Sequence, residues 1–171
     1  MADVSLRPVQ EADLGLLAAN LARDPRSLHW FGFVSSNALH RRFAADGMIS
    51  DDYGVLAVEA PEGHLIGQVS WFAVQHGPTS ACRALNIGIL LFPEYRHCGY
   101  GSAAQTALAK YLFATSLIER VEAETDVDNL AEQRALEKAG FTREGILRSA
   151  QFRDSHWRDV ALYSVLRAEL D

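Results

Sequence analysis

Arg96-His97-Cys98-Gly99-Tyr100-Gly101-Ser102 puts a cation, two glycines and a small hydroxyl residue in one short stretch. Glycine lets a backbone approach a ligand without side-chain obstruction. The stretch opens onto Ala103, Ala104, Ala107, Leu108, Tyr111 and Leu112, which recur at helical spacing. Unpaired N–H groups at a helix start, with the positive end of its dipole, attract anions. The expected ligand is a phosphate or pyrophosphate, with Arg96 as its local cation.

Three readings of this loop compete. Gly99-Tyr100-Gly101-Ser102-Ala103-Ala104 also fits the looser dinucleotide fingerprint, and Glu122 stands about where that motif places an acidic residue. In a dinucleotide fold, however, the first glycine closely follows the first strand. Here several predicted strands precede it and Pro93–Cys98 intervenes. A glycine-rich turn that binds nothing is the third reading.

The elements that must position the loop follow from hydrophobic pattern and chain breakers. Val4–Pro8 reads as a strand and Glu11–Arg23 as a helix, with a second helix within Ser36–Ala45. Tyr53–Glu59 and His64–Val74 read as strands around the Pro61-Glu62-Gly63 turn. Gly77-Pro78 interrupts the chain before the apolar strand Arg83–Phe92, which leads into the loop. After the loop's helix come a strand at Arg120–Thr125 and a helix at Asn129–Ala139 closed by Gly140. A strand pair, Phe141–Phe152 and Trp157–Leu166, ends the chain. Early hairpins followed by strand–helix–strand units predict an α/β fold, a mixed sheet with helices on both faces.

Composition sets the bounds. A chain of 171 residues with 49% hydrophobic content suits one domain, 1–171, with a real core. Net charge −6 disfavours nucleic acid as a partner. Two cysteines, Cys82 and Cys98, fit a reducing compartment. Without a signal peptide or an apolar run of about 18 residues, the expectation is a soluble, cytoplasmic protein with no membrane partner.

Arg96-x-x-Gly99-x-Gly101 resembles the acetyl-coenzyme A signature of GCN5-related N-acetyltransferases (GNAT). Leu6-Arg7-Pro8 with Glu11-Ala12-Asp13 is similar to that family's first strand and helix. Asn129-Leu130-Ala131, Leu136-Glu137-Lys138-Ala139-Gly140-Phe141, Glu144-Gly145 and Trp157-x-Asp159 with Tyr163 resemble the branch that acetylates ribosomal-protein amino termini. The resemblance runs along nearly the whole chain and is weakest from about Asp24 to Ser50.

The resemblance implies a single-domain GNAT-like fold, a mostly antiparallel sheet whose splayed strands hold acetyl-CoA as co-substrate, with no metal. Backbone amides from His97 through Cys98, Gly99, Tyr100 and Gly101 to Ser102 would wrap the pyrophosphate, and Arg96 would pair with it. Ile89, Leu90 and Leu91 would offer backbone groups to the pantetheine arm and thioester, one N–H near Ile89 or Leu90 holding the oxyanion. Asn129 matches a position near the thiol end, and is equally suited to cap its helix.

The amine half is less legible. An α-amino group is roughly a tenth neutral at pH 7, a penalty near 1–1.4 kcal/mol, whereas a lysine-like amine costs roughly 4.6 kcal/mol. Many relatives carry a serine where Glu132 stands; some amino-terminal acetyltransferases of the branch carry a carboxylate where Gln151 stands, and others a glutamate where Asn86 stands. Glu132, Glu124 with Asp126, and Tyr163 are the catalytic candidates. Each has a plain structural alternative, an exposed helix residue for Glu132 and a core tyrosine for Tyr163. His29 and Trp30, in the aromatic segment Ser27–Phe33, and Ser70, Asn86 and Gln151 are candidates for the acceptor pocket. The expected activity is transfer of acetyl to a primary amine, on a protein amino terminus or a small molecule. The alternative is a catalytically silent acyl-CoA-binding module. A homodimer through Asp159–Leu166 is a candidate assembly.

Overall fold

The computed structural model describes residues 2–23 and 36–170, and their strands form one sheet in the order β1-β2-β3-β4-β5-β7-β6. The strands are β1 (Ser5–Pro8), β2 (Tyr53–Glu59), β3 (Leu65–Gln75), β4 (Arg83–Leu91), β5 (Arg120–Asp126), β6 (Thr142–Arg153) and β7 (His156–Leu166). The helices are α1 (Glu11–Arg23), α2 (Ser36–Asp46), α3 (Tyr100–Thr115) and α4 (Leu130–Lys138). Every neighbouring pair is antiparallel except β4–β5, which is parallel because α3 carries the chain across the sheet.

Alternation along the strands sends successive side chains to opposite faces. Leu56, Val69, Leu85, Ile87, Val121 and Val165 meet Ala104, Leu108 and Leu112 of α3 and Leu136 of α4. On the other face Val55 and Ala57 pack with Leu14 and Leu17 of α1 and Leu39 of α2. Helices therefore cover both faces, as the pattern predicts.

The N-terminal strand and helix are tied by charge. Arg7 donates to Asp13 Oδ2 at 2.6 Å and to Glu59 Oε1 at 2.6 Å. Its guanidinium holds the Asp13 carboxyl below the usual range, against the opposing effect of burial. The Leu6-Arg7-Pro8 and Asp13 resemblance thus has a structural basis.

The strand expected at Phe141–Phe152 is present as β6, Thr142–Arg153, and its pairing with β7 shifts register between Arg143 and Gly145 and again between Leu147 and Gln151. At the second shift Ser149 adopts φ +49°, and its N–H donates to Asp159 Oδ1 at 2.8 Å. Edge pairing of β7 with another copy is closed off, because β7 has β5 on one edge and β6 on the other, while packing through Asp159–Leu166 is untouched by this. Among the described residues the edge strands of the sheet are β1 and β6.

Candidate active site

Pairing of β4 with β5 stops early. Leu85, Asn86 and Ile87 lie opposite Val121, Glu122 and Ala123, and beyond them the strands diverge. On its other edge β4 stays in register with β3 as far as Leu91. Phe92 N–H bonds to Ile66 O on that β3 side at 2.9 Å. Alternation then turns the backbone groups of Ile89 and Leu91 toward the gap, and those of Leu90 away from it. Leu91 O is taken by Arg96 Nε at 3.0 Å. Ile89, rather than Leu90, is the residue whose N–H faces the opening.

The loop after β4 is curled. His97 has φ +62° and Gly99, the residue before α3, has φ +86°. A side chain disfavours this left-handed region, so glycine suits position 99. Such curls gather N–H groups on one side. From His97 to Ser102 no backbone N–H has an acceptor among the described residues, and the first bonded one is Ala103 N–H, to Gly99 O at 3.3 Å.

A cavity of about 480 Å³ runs between this loop, the end of β4 and α4. It has the size of a small-molecule site. Ile89, Leu90 and Leu91 line it from β4, and Arg96, His97, Gly99, Gly101 and Ser102 from the loop and the start of α3. Asn129 lines it too, and its side chain accepts Glu132 N–H at 3.4 Å, so capping and cavity lining coincide. Cys98 and Tyr100 do not line it. Cys98 is exposed with its thiol on Arg96 O, and the Tyr100 ring packs edge-on against Tyr95.

A smaller cavity of about 100 Å³ occupies the gap between the strands, with Ile87, Gly88, Glu124, Asp126 and Arg153 among its lining. Ile89, Asn129 and Glu132 belong to both cavities. Glu132 is half-buried and takes a hydrogen bond from the Gln105 amide of α3. Burial pushes its carboxyl up to about 7, while the Gln105 bond pulls it down. Glu124 is raised by burial and then by Glu122. Asp126 is buried, and its Oδ2 accepts no hydrogen bond among the described residues; Arg158 Nε stands 3.9 Å away.

Other candidates lie apart. Tyr163 is fully buried on the core face of β7, where its hydroxyl reaches Gln133 Oε1 at 3.4 Å and Glu137 Oε1 at 3.3 Å. Burial and Glu137 raise its pKa, and it lines neither of these two cavities. Asn86 is buried opposite Glu122, its Nδ2 without a partner among the described residues, and Ser70 lies opposite Gly88 on β3. Neither lines either of these two cavities. Gln151 accepts from Arg153, so it reaches the smaller cavity only through that side chain. His29 and Trp30 lie outside the described residues.

Sequence reasoning missed Ala131, Arg134, Ala135 and Lys138, which line the larger cavity from α4. Spacings of three and four residues place them on one helix face but do not say what that face meets. It also missed Gln105. Among the described residues no group of three or more His, Cys, Asp or Glu could hold a metal, and no helix is long and apolar enough to cross a membrane.

Comparison with known proteins gives this geometry a context. The chain is 30% identical over 119 residues to the probable N-acetyltransferase YjcK of Bacillus subtilis (strain 168), covering 70% of this chain and 64% of YjcK. It is 29% identical over 103 residues to the uncharacterized N-acetyltransferase YoaA of the same organism, covering 60% and 56%. A match to a third relative, YnaD, covers 49% of that protein, so the chain spans about half to just under two thirds of the length of these curated relatives. In fold it resembles a Vibrio cholerae spermidine N-acetyltransferase solved with CoA and spermine, with a TM-score of 0.81 at 19% identity over 98% of this chain and 97% of that one. RimJ of Mycobacterium smegmatis, solved with CoA-disulfide, gives a TM-score of 0.78 at 24% identity over 98% and 83%. Residues 3–142 match the family described as acetyltransferase (GNAT) domain, and the chain belongs to that family.

Proposed function

We propose that this protein is an acetyl-CoA-dependent N-acetyltransferase that acetylates a primary amine directly, with donor and acceptor bound together. The observation that carries the reading is the early end of β4–β5 pairing, which opens a gap in front of the Ile89 backbone groups where two cavities share Ile89.

The residues present suit the donor. The N–H groups from His97 to Ser102, without acceptors among the described residues, form a cradle for a pyrophosphate, and Arg96, His97, Arg134 and Lys138 line the same cavity. The open edge of β4 offers Ile89 N–H and C=O to an amide-bearing arm, as an added strand would. Bound there, acetyl-CoA supplies an activated acyl group. Ile89 N–H is the donor placed for the carbonyl oxygen as negative charge develops on it. Asn129, at the meeting of the cavities, marks the thiol end. The amine enters through the smaller cavity, where Glu124 and Asp126 favour an incoming ammonium. The acceptor class is a protein amino terminus or a small amine, and the setting is a single cytoplasmic domain.

Thiol release from acetyl-CoA over a panel of amino-terminal peptides and small primary amines tests the reading. Turnover with at least one amine supports it. Acetyl-CoA binding without thiol release for any amine would favour a silent acyl-CoA-binding module, and absence of binding would remove both.

A further inference from the structure

The two cavities meet at Glu132, and its side chain is held from outside its own helix. Gln105 of α3 donates its amide to Glu132 Oε1, across the packing of α3 on α4. Gln105 is 2% exposed, and its own Oε1 is buried with no donor among the described residues. A buried carboxamide oxygen without a donor is costly. A protonated Glu132 can supply the missing donor, because a carboxylic acid and a primary amide can exchange two hydrogen bonds. The ionised carboxylate keeps one of these, charge-assisted and therefore stronger. Gln105 thus supports both protonation states of a carboxyl that lines both cavities.

On the acetyltransferase reading above, we infer that Glu132 is the proton-transfer residue of this site and that Gln105 is its positioning residue. Glu132 in its acid form gives its proton to the sulfur as the C–S bond breaks and the N–C bond forms. The resulting carboxylate then takes the proton shed by the new amide nitrogen. One bond forms, one breaks, and Glu132 ends as the acid it was at the start. Charged groups of both signs line the two cavities that Glu132 shares. Glu124 and Asp126 of β5 favour the acid form, while Arg153 of β6 opposes them in the smaller cavity. Arg96 of the loop and Arg134 and Lys138 of α4 line the larger cavity and favour the carboxylate, and the His97 ring lines the same cavity. Burial decides for a carboxyl titrating near neutrality, at about 7. A group poised there can move a proton in either direction.

The test follows Glu132→Gln and Gln105→Met in three readouts: acetyl-CoA binding by calorimetry, thiol release across pH, and titration of the Glu132 carboxyl by carbon-13 NMR. Glu132→Gln is expected to leave acetyl-CoA affinity within about threefold while lowering kcat about 100-fold or more. Gln105→Met removes the bond that lowers the Glu132 pKa, so it should move both the carboxyl titration and the matching limb of the kcat profile to higher pH. It should leave KM for acetyl-CoA unchanged. A purely structural Gln105 would shift neither limb nor titration. Wild-type kcat in Glu132→Gln, a wild-type carboxyl in the ordinary carboxylate range, or an unmoved titration in Gln105→Met would each overturn the inference. Acetyl-CoA bound by the wild type with no amine turned over would overturn the proton-transfer role and leave donor binding standing. Failure to bind acetyl-CoA would remove the acetyltransferase reading, and the inference with it.

Discussion

Arg96 Nε donates to the Leu91 carbonyl at 3.0 Å, so the loop's cation also closes the free end of the strand before it. One side chain joins the two halves of the proposed donor site. Without that tie the carbonyl loses its partner and the loop loses its anchor.

Arg96→Ala is therefore expected to weaken acetyl-CoA binding by roughly 10- to 100-fold, the loss of one charge-assisted contact of about 1.5–3 kcal/mol. Arg96→Lys should recover part of the affinity, because an ammonium restores charge without the planar fork. Calorimetric titration checks both. Equal affinity in wild type and Arg96→Ala would contradict the proposed anchoring role.

Gly67 on β3 touches the same strand from the opposite edge. A Cβ there would lie 2.2 Å from Leu90 O and 2.9 Å from Leu91 Cα, both backbone atoms. Neither can move without shifting the end of β4. Gly67→Ala is expected to destabilise the protein by about 1–3 kcal/mol and to weaken acetyl-CoA binding as well. Urea unfolding and calorimetry on the same variant measure the two effects.

Glu132 makes stability depend on pH in an unusual direction. Its carboxyl titrates at about 7 when folded, against an ordinary value of 4.5. The folded chain holds this proton more tightly than the unfolded chain, so the group costs stability as pH rises from about 4.5 through about 7. Below that window the cost is absent. Glu132→Gln should be more stable than wild type at pH 8, by about 1–3 kcal/mol, and nearly equal to it at pH 4. Urea midpoints at the two pH values provide the comparison.

Arg120 anchors the other buried carboxylate of β5. It donates to Glu122, which is 1% exposed and also meets His76 Nε2 at 2.5 Å, and it reaches Glu144 Oε1 at 2.7 Å. Arg120→Ala leaves Glu122 buried without its guanidinium and should cost about 3–5 kcal/mol in urea unfolding. The Arg120 bond, helped by Ser164, holds the Glu144 carboxyl down at about 2. Its contribution is present above the ordinary carboxylate range and fades as pH falls toward about 2. Acid titration of wild type and Glu144→Gln should diverge above pH 5 and converge at the acid end.

How far the sequence could be read depended on how local each signal was. The glycine loop, the apolar strand before it and Asn129 each carry their meaning within a few residues, and most of the expected donor residues do line one cavity. Gly140 was legible as a helix end for the same reason: its N–H returns to Glu137 O and that of Phe141 to Leu136 O. The link between Gln105 and Glu132 spans 27 positions and exists only because α3 packs on α4. Nothing near either residue announces it. Arg134 and Lys138 were hidden differently, since cations on an amphipathic helix look alike whether they face solvent or a ligand cavity. Tyr163 was ambiguous because strand alternation alone does not say which face of the sheet the helices of the site will cover. Ile89 could be separated from Leu90 only once the β3–β4 register and the Phe92–Ile66 bond were known.

Every described residue lining the larger cavity falls between Ile89 and Lys138. Among the described residues, α1, α2 and the first three strands contribute none of its wall. The proposed donor seat is in this sense one uninterrupted stretch of sequence, so substitutions upstream of β4 can alter what meets it without touching its wall.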